Sequence, residues 1–221
     1  MTNDRSFTPA LGRADLTSDY DRVIAVMTRE RRWRSALLKE IALAAGEVIV
    51  DVGCGTGTFA VMLAKAQPAA RVIAVDPDEA VLEIARAKAQ AEDVDVDWRL
   101  AMGDELVGCL AETRASVVTS SLVLHQCPLP MKAAILTSMR AILAVNGRLA
   151  LADYGEQRTL LMRLLFRQVQ HLDGFENTTP NARGALPGLI ADAGFTAVEE
   201  FRCLPTPTGS ISLFRATNAR D

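Results

Sequence analysis

The feature that most constrains this 221-residue chain is a short β-branched run that leads directly into a glycine-rich turn. Val48 to Val52 fits a buried strand, although it contains Asp51. Gly53-Cys54-Gly55-Thr56-Gly57 follows at once, and residues 58–66 then have a helical pattern. Glycines let the backbone turn tightly and approach a ligand, and the start of a helix offers unpaired N–H groups to it. The unit therefore predicts a parallel α/β sheet with a ligand at its first crossover.

The alternation of strands and helices continues along the chain. Seven strands are predicted, over residues 48–52, 71–75, 96–101, 115–121, 148–152, 196–203 and 210–217. Helices are predicted over residues 21–45, 58–66, 79–90, 130–144, 157–172 and 184–193. Loops are predicted over residues 174–180 and 204–209, and a turn at Asn146-Gly147. We expect a doubly wound, mostly parallel α/β sheet of the Rossmann-like type that ends in an antiparallel hairpin.

Composition and charge exclude several classes of protein. Lys and Arg number 24 against 27 Asp and Glu, and a net charge of −3 argues against duplex nucleic acid as the main partner. No apolar run reaches the roughly 18 residues of a membrane span, and residues 1–15 do not resemble a signal peptide. Four cysteines without a CxxC pair and only two histidines predict a cytoplasmic protein with no metal site.

The glycine spacing and two carboxylates indicate which nucleotide binds. The turn reads G-x-G-x-G, whereas the dinucleotide fingerprint is G-x-G-x-x-G. Asp51, two residues before the first glycine, would repel a pyrophosphate but suits an ammonium or sulfonium cation. Asp76 ends the second strand, where a carboxylate can accept hydrogen bonds from ribose hydroxyls. These features favour S-adenosylmethionine over NAD.

The motifs resemble those of one enzyme superfamily. Val50 to Gly57 resembles the first motif of class I S-adenosylmethionine-dependent methyltransferases, and Ile73 to Asp76 resembles the second. Gly103-Asp104 resembles their adenine-binding acidic motif, and Ser120 to His125 the segment that lines the methyl-transfer site. Asn146 to Leu149, before the fifth strand, completes a match over roughly residues 18–155.

A closer similarity lies before the glycine turn. Tyr20-Asp21 and Arg32-Trp33-Arg34 are similar to the quinone-ring C-methyltransferases of ubiquinone and menaquinone synthesis. We expect Trp33 to pack between its helix and the sheet.

The resemblance implies roles for the matched positions. Asp51 would face the methionine ammonium, Thr56 the methionine carboxylate, and Asp76 the ribose. Asp104 would bind the adenine amino group, and Ser121 would border the sulfonium. The whole implied cofactor set is Asp51, Gly53, Gly55, Thr56, Gly57, Asp76, Pro77, Gly103, Asp104, Glu105 and Ser121.

Each candidate also has a purely structural alternative. Asp51 would cap amides of the glycine turn, and Asp76 or Asp104 would start a helix. His125 is either a base that takes a proton from the acceptor or a structural histidine bonded beside a loop. His171 either faces the acceptor or ends its helix favourably.

Residues 1–45 are expected to form an N-terminal helical segment and residues 46–221 the cofactor-binding domain, with residues 155–190 covering the acceptor. The apolar helix 157–172 suits a lid, a dimer face, a membrane-surface contact or ordinary core.

Because this covering segment is apolar, and because the Asn-Pro-Pro-Tyr type of motif is missing after the fourth strand, the predicted acceptor is a small apolar or aromatic molecule. We expect a monomer or homodimer without integral membrane contact, while peripheral contact stays open. The rival hypotheses are a non-catalytic S-adenosylmethionine-binding module and an NAD-dependent oxidoreductase.

Overall fold

The computed structural model describes residues 26–110 and 112–219, which form one seven-stranded sheet flanked by helices. The strands are β1 (Val48–Val52), β2 (Arg71–Asp76), β3 (Asp97–Leu100), β4 (Ala115–Ser121), β5 (Leu143–Tyr154), β6 (Thr196–Thr206) and β7 (Gly209–Thr217). The helices are α1 (Glu30–Ile41), α2 (Thr58–Ala66), α3 (Glu79–Ala91), α4 (Leu106–Cys109), α5 (Leu129–Ile142), α6 (Leu160–Asp173), α7 (Phe175–Ala182) and α8 (Leu186–Asp192). A 3-10 turn spans Leu124–Gln126.

The strand order is β3-β2-β1-β4-β5-β7-β6. Strands β1 to β5 pair in parallel, and β7 inserts antiparallel between β5 and β6. The doubly wound sheet and its antiparallel hairpin are therefore confirmed. The strand order reverses between β1 and β4, and a ligand crevice opens at the carboxyl ends of such a pair.

Hydrophobic clusters cover both faces of the sheet. On one face, α1 and α2 contribute Trp33, Leu37 and Phe59, all fully or almost fully buried. On the other face, α5 and α8 contribute Leu136 and Ile190. Trp33 is completely buried, so its predicted place between helix and sheet is confirmed.

The predicted helix over residues 21–45 is wrong in its extent. Residues 21–25 lie outside the described part of the chain, and α1 begins only at Glu30. Arg29 before it has a φ of 52°, a left-handed conformation that a continuous helix cannot contain. Ala42 ends the helix in the same conformation, with a φ of 44°.

The turn predicted at Asn146-Gly147 lies inside β5. The strand starts at Leu143, and its register against β4 shifts between Ala115 and Val117. Asn146 has a φ of 61° and donates its N–H to the Asn218 carbonyl at 3.0 Å. The pair thus forms an irregularity within the strand, because the neighbouring backbone offers it hydrogen bonds.

Two predicted loops are partly regular structure. Residues 174–180 were expected as a loop, but Gly174, with a φ of 86°, only separates α6 from α7. The loop predicted over residues 204–209 shortens to Pro207 and Thr208, since β6 continues to Thr206. Pro205 is tolerated because β6 is the edge strand.

Helix α6 is core on only one side. Phe166 and Val169 are buried against the sheet, whereas Leu160 and Leu172 are 81% and 82% exposed. Ordinary core therefore does not describe the whole helix. Among residues 26–110 and 112–219, none of the helices combines the length and the hydrophobicity that a membrane span requires.

Candidate functional site

The glycine turn joins β1 to α2 at the carboxyl edge of the sheet. The N–H groups of Gly53 and Cys54 both donate to the Val75 carbonyl, at 2.8 and 3.1 Å. Gly53, Gly55 and Gly57 have φ values of 71°, 52° and 73°, a region that other residues enter only at a cost. The turn is therefore anchored to the end of β2 and needs its glycines.

The three glycines serve different purposes. A Cβ on Gly53 would lie 2.3 Å from a methyl of Val123, and one on Gly57 would lie 2.6 Å from Ala85 and Trp98. At Gly55, by contrast, no described atom lies within 4 Å of the added carbon. Gly53 and Gly57 thus permit close packing, while Gly55 presents its backbone to open space.

Asp51 is buried directly below this turn. Its side chain is 1% exposed, and neither carboxylate oxygen has a hydrogen-bond partner among the described residues. Burial raises its pKa to about 7, with Arg34 opposing and Asp76 assisting the rise. A buried carboxylate without a partner is costly, so this site calls for a cation or a hydrogen-bond donor. It does not cap the amides of the turn.

Asp76 supports the turn from the end of β2. Its Oδ2 accepts the Gly55 N–H at 2.8 Å, and its Oδ1 accepts the Asp78 N–H at 3.1 Å. Burial raises the pKa of this carboxyl, while the two backbone hydrogen bonds lower it. The residue that caps α3 is Asp78, which accepts the Ala80 N–H at 2.9 Å. Asp76 is thus not the helix cap, and its carboxylate oxygens keep further lone pairs for ribose hydroxyls.

Sequence reasoning missed Lys88 beside the glycine turn. Its ammonium on α3 donates to the hydroxyls of Thr56 at 3.1 Å and Thr58 at 2.6 Å. A cation therefore stands next to Thr56, which was expected to meet the methionine carboxylate. No sequence motif marks this lysine, because only the packing of α3 against α2 brings it to the turn.

The segment after β3 carries the predicted adenine-binding residues. A Cβ on Gly103 would meet Ile135 and Val52 at 3.2 Å, so this glycine lets the segment approach β1. Asp104 is half-buried and is not the helix cap, since α4 begins at Leu106 after Glu105.

The end of β4 lies beside the glycine turn. Ser120 donates its hydroxyl to the Val52 carbonyl at 2.7 Å and ties the ends of β4 and β1 together. Ser121 is half-buried at the strand end, and Leu122 follows with a φ of 57°. This bend brings Val123 onto Gly53.

His125, on the 3-10 turn, is held between two carboxylates. Its Nδ1 lies 2.7 Å from Oδ1 of Asp153, and its Nε2 lies 3.4 Å from Oδ2 of Asp173. Burial alone would lower its pKa, but the two carboxylates, Asp153 above all, raise it to about 9. The ring also packs edge-on against Tyr154, with 4.9 Å between centroids.

Asp153 organises the backbone around this histidine as well. Its Oδ2 accepts the N–H of Leu124 at 2.7 Å, and its Oδ1 accepts the N–H of Tyr154 at 2.7 Å. Sequence reasoning assigned no role to Asp153 or Asp173. A carboxylate at the end of a central strand was the available signal for Asp153, whereas Asp173 is brought in by the fold of α6.

Comparisons with known proteins identify the family of the chain. The methyltransferase-domain family matches residues 49–147. The chain is 26% identical over 209 residues to demethylmenaquinone methyltransferase of Deinococcus radiodurans, and the match covers 94% of this chain and 83% of that one. It superposes on the crystal structure of magnesium protoporphyrin IX methyltransferase from Synechocystis with a TM-score of 0.69, at 18% identity, over 91% of this chain and 94% of that chain. The chain is a class I S-adenosylmethionine-dependent methyltransferase.

Some relatives of this methyltransferase are longer than the matched region. The match covers 54% and 59% of the demethylmenaquinone methyltransferases of Lactobacillus johnsonii and Clavibacter sepedonicus. S-adenosylmethionine is the methyl donor of this methyltransferase, which confirms the predicted cofactor.

The remaining candidate, His171, lies near the end of α6. His171 is exposed, and its Nδ1 lies 2.6 Å from the Arg167 carbonyl of its own helix, as expected of a residue near a helix end. No group of three or more metal-ligating side chains occurs within residues 26–110 and 112–219.

Proposed function

We propose that this methyltransferase methylates a small apolar or aromatic acceptor and holds its cofactor with the carboxylates around the glycine turn. The observation that carries the cofactor site is the buried carboxylate of Asp51, which has no hydrogen-bond partner within residues 26–110 and 112–219. The methionine ammonium of the cofactor would supply the positive charge and the N–H donors with which this carboxylate can pair.

The other cofactor contacts follow the order of the strands. Asp76 would hold the ribose, and Asp104, with Glu105 and Gly103, the adenine. Thr56 and Lys88 would face the methionine carboxylate, which adds the lysine ammonium to the predicted set. Pro77 would border the ribose, and Ser121 would border the sulfonium from the end of β4.

When bound, S-adenosylmethionine supplies an electrophilic methyl group on a sulfonium cation. The chain's own residues then have two tasks, which are to align the acceptor with that methyl group and to exclude water. Val123, seated on Gly53, provides an apolar wall between the turn and the acceptor side.

We propose a positioning role for His125, in place of the base suggested by its sequence context. An imidazole with a pKa of about 9 is protonated at neutral pH, so it has no free lone pair with which to take a proton. Its contact with Asp173 links the 3-10 turn to the end of α6. It would thereby fix the segment that covers the acceptor.

The nature of the acceptor is supported by the covering segment and by the names of relatives. Residues 155–190 include α6 and α7, and α7 contacts the 3-10 turn through Asn177, whose amide donates to the Gln126 carbonyl at 3.0 Å. Relatives are named for demethylmenaquinone and for ubiquinone/menaquinone biosynthesis, although others are named for malonyl-acyl carrier protein and ribosomal protein L11. An aromatic quinone precursor is therefore the first acceptor to test.

The proposal also covers the domain organisation, the cellular location and the oligomeric state. Residues 46–221 would form the catalytic domain and residues 1–45 an N-terminal segment. The protein would act in the cytoplasm as a monomer or homodimer, and a net charge of −3 supports an acceptor other than nucleic acid.

Isothermal titration with S-adenosylmethionine, S-adenosylhomocysteine and NADH tests the cofactor site. We expect both adenosyl ligands to bind and NADH not to bind. Loss of S-adenosylhomocysteine affinity in Asp51→Asn and Asp76→Ala, with Asp97→Asn unchanged, would support the assigned contacts. Wild-type affinity in Asp51→Asn would refute them.

A screen of quinones, phenols and amines, read by release of S-adenosylhomocysteine, tests the acceptor. Turnover on an aromatic compound supports the proposal. Turnover only on an acyl carrier protein or a ribosomal protein would contradict it, and binding without turnover on any acceptor would favour the non-catalytic module.

A further inference from the structure

Helix α6 presents an apolar stripe outward. Leu160, Leu161, Leu164 and Leu172 are between 63% and 82% exposed, and Phe175 at the start of α7 is 49% exposed. At 3.6 residues per turn, the four leucines lie within an arc of about 120° on the helix. Phe166 and Val169 occupy the opposite side and anchor α6 to the sheet. The exposed Gln168 and His171 lie in the same arc, so the stripe is mostly apolar. Leucines exposed to this extent on one helix face indicate an interaction surface.

A cluster of arginines borders the stripe. Arg163, Arg167 and Arg183 line a cavity of about 530 Å³ between α6 and α7. All three are exposed, and no carboxylate within the described part of the chain forms an ion pair with them. Gln170 and Thr179, whose side chains lie 3.4 Å apart, add polar groups to the same cavity.

The acidic side chains near the cavity do not neutralise the charge of the three arginines, because they contact other residues. Glu156 also lines the cavity, but its carboxylate contacts Arg158 at 3.3 Å. Asp173, at the end of α6, contacts the His125 ring instead. The cavity therefore has an excess of guanidinium groups, which match a phosphate in charge and in hydrogen-bond geometry.

We propose that α6 and α7 dock on an anionic lipid bilayer. The leucine stripe would enter the interface between headgroups and acyl chains, and the arginine cavity would receive a lipid phosphate. The pairing of an apolar face with flanking arginines is the pattern of helices that lie in a membrane surface. Charge complementarity thus selects this occupant over a second copy of the chain, whose own arginines would be brought close to these.

The surface adjoins the acceptor side of the methyltransferase. Asp173 ends α6 and contacts His125, and Asn177 of α7 contacts the 3-10 turn. The inference goes beyond the proposed function, and vesicle binding is measured without cofactor or acceptor. A failure of the membrane-docking proposal is therefore distinguishable from a failure of the proposed methyl transfer.

The test is co-sedimentation of the full chain with vesicles of phosphatidylcholine alone or with 30 to 40% phosphatidylglycerol. We expect binding to the anionic vesicles at least fivefold above that to neutral ones, and weakening with added NaCl. The double variant Leu161→Gln/Leu164→Gln should lose at least fivefold at every salt concentration. Arg167→Ala/Arg183→Ala should lose a similar amount at low salt and become insensitive to further salt.

Two variants at exposed positions outside α6 and α7 serve as matched controls. Leu129→Gln and Arg86→Ala change an exposed leucine and an exposed arginine elsewhere, and should bind as wild type. Circular dichroism checks that every variant is folded. No binding, equal binding to both vesicle types, or unchanged binding by the α6 variants would overturn the proposal. So would a dimer, seen by light scattering, that the leucine variant dissociates while vesicles bind neither protein.

Discussion

At the residue scale, the buried carboxyl of Asp51 suits ligand binding but lowers the stability of the ligand-free protein. Its carboxyl is buried without a partner among the described residues, and burial raises its pKa from 3.8 to about 7. Because the folded pKa exceeds the unfolded one, ionisation disfavours the folded state, and stability falls as the pH rises from about 4 to 7. A bound cation would reverse that cost, so this residue is suited to a ligand and not to the fold.

We expect Asp51→Asn to raise the free energy of unfolding of the ligand-free protein at pH 8, by up to about 4 kcal/mol. The same variant should bind S-adenosylhomocysteine at least tenfold more weakly. Urea denaturation and calorimetric titration measure the two effects. Asp97→Asn is the control of opposite sign, because ion pairs with Arg71 and Arg99 stabilise the Asp97 carboxylate. A less stable Asp51→Asn protein would mean that Asp51 has a partner within the chain.

Because Gly53 has no Cβ, the turn after β1 can pack against Val123, which follows β4. We expect Gly53→Ala to cost about 2 to 4 kcal/mol, from the left-handed φ together with the 2.3 Å approach to Val123. Gly46→Ala is the matched control, since Gly46 has a φ of 79° and no atom of the described chain within 4 Å of an added Cβ. It should cost only about 1 kcal/mol. Equal losses in thermal denaturation would argue against the clash.

At the scale of elements, His125 joins the 3-10 turn, β5 and α6 through two carboxylates. Its folded pKa of about 9 exceeds the ordinary value of 6.5. The stabilisation that it provides is therefore complete below pH 6.5 and is lost as the pH rises through about 9. These contacts would thus hold the end of α6 against the 3-10 turn at neutral pH.

We expect wild type to exceed His125→Gln in unfolding free energy by on the order of 2 to 3 kcal/mol at pH 6.5, with a much smaller difference at pH 10. Urea denaturation across this range provides the measurement. Other groups that titrate here, such as the Cys127 thiol with its pKa raised by burial to about 11, are common to both proteins and cancel. A difference that does not change with pH would show that His125 is neutral in the fold.

At the scale of the whole molecule, two hydrophobic clusters hold helices on opposite faces of one sheet. Helix α1 precedes β1 and is joined to one face by Trp33, Leu37 and Ile41. Helix α1 is therefore a part of the fold, although the strands and the glycine turn come after it.

We expect Trp33→Ala to cost about 3 to 5 kcal/mol, the range for removing a fully buried aromatic side chain. Leu129→Ala, at an exposed position on α5, should cost less than about 1 kcal/mol. Chemical denaturation of both variants checks this. A small loss for Trp33→Ala would mean that α1 is not part of the cooperative unit.

Local sequence was sufficient to predict the strands and the first crossover. Val48–Val52 and Gly53–Gly57 specify strand and turn through side-chain branching and the need for positive φ, which depend on neighbouring residues alone. Asp51 and Asp76 could be selected for the same reason, because both are placed by the strand that carries them. Helix boundaries were predicted less well, since Arg29 precedes the start of α1 and Gly174 follows the end of α6 with positive φ values that no periodicity reveals.

Only the tertiary structure decided what distant residues do together. It assigned His125 to a pair of carboxylates 28 and 48 positions along the chain, and brought Lys88 onto Thr56. It also left the leucines of α6 outside, although their pattern alone suited a core. Such contacts depend on how helices pack across the sheet, and packing is set by the summed fit of many side chains. The sequence thus determined the family and the glycine turn after β1, while the fold determined which carboxylates surround His125 and which face of α6 is exposed.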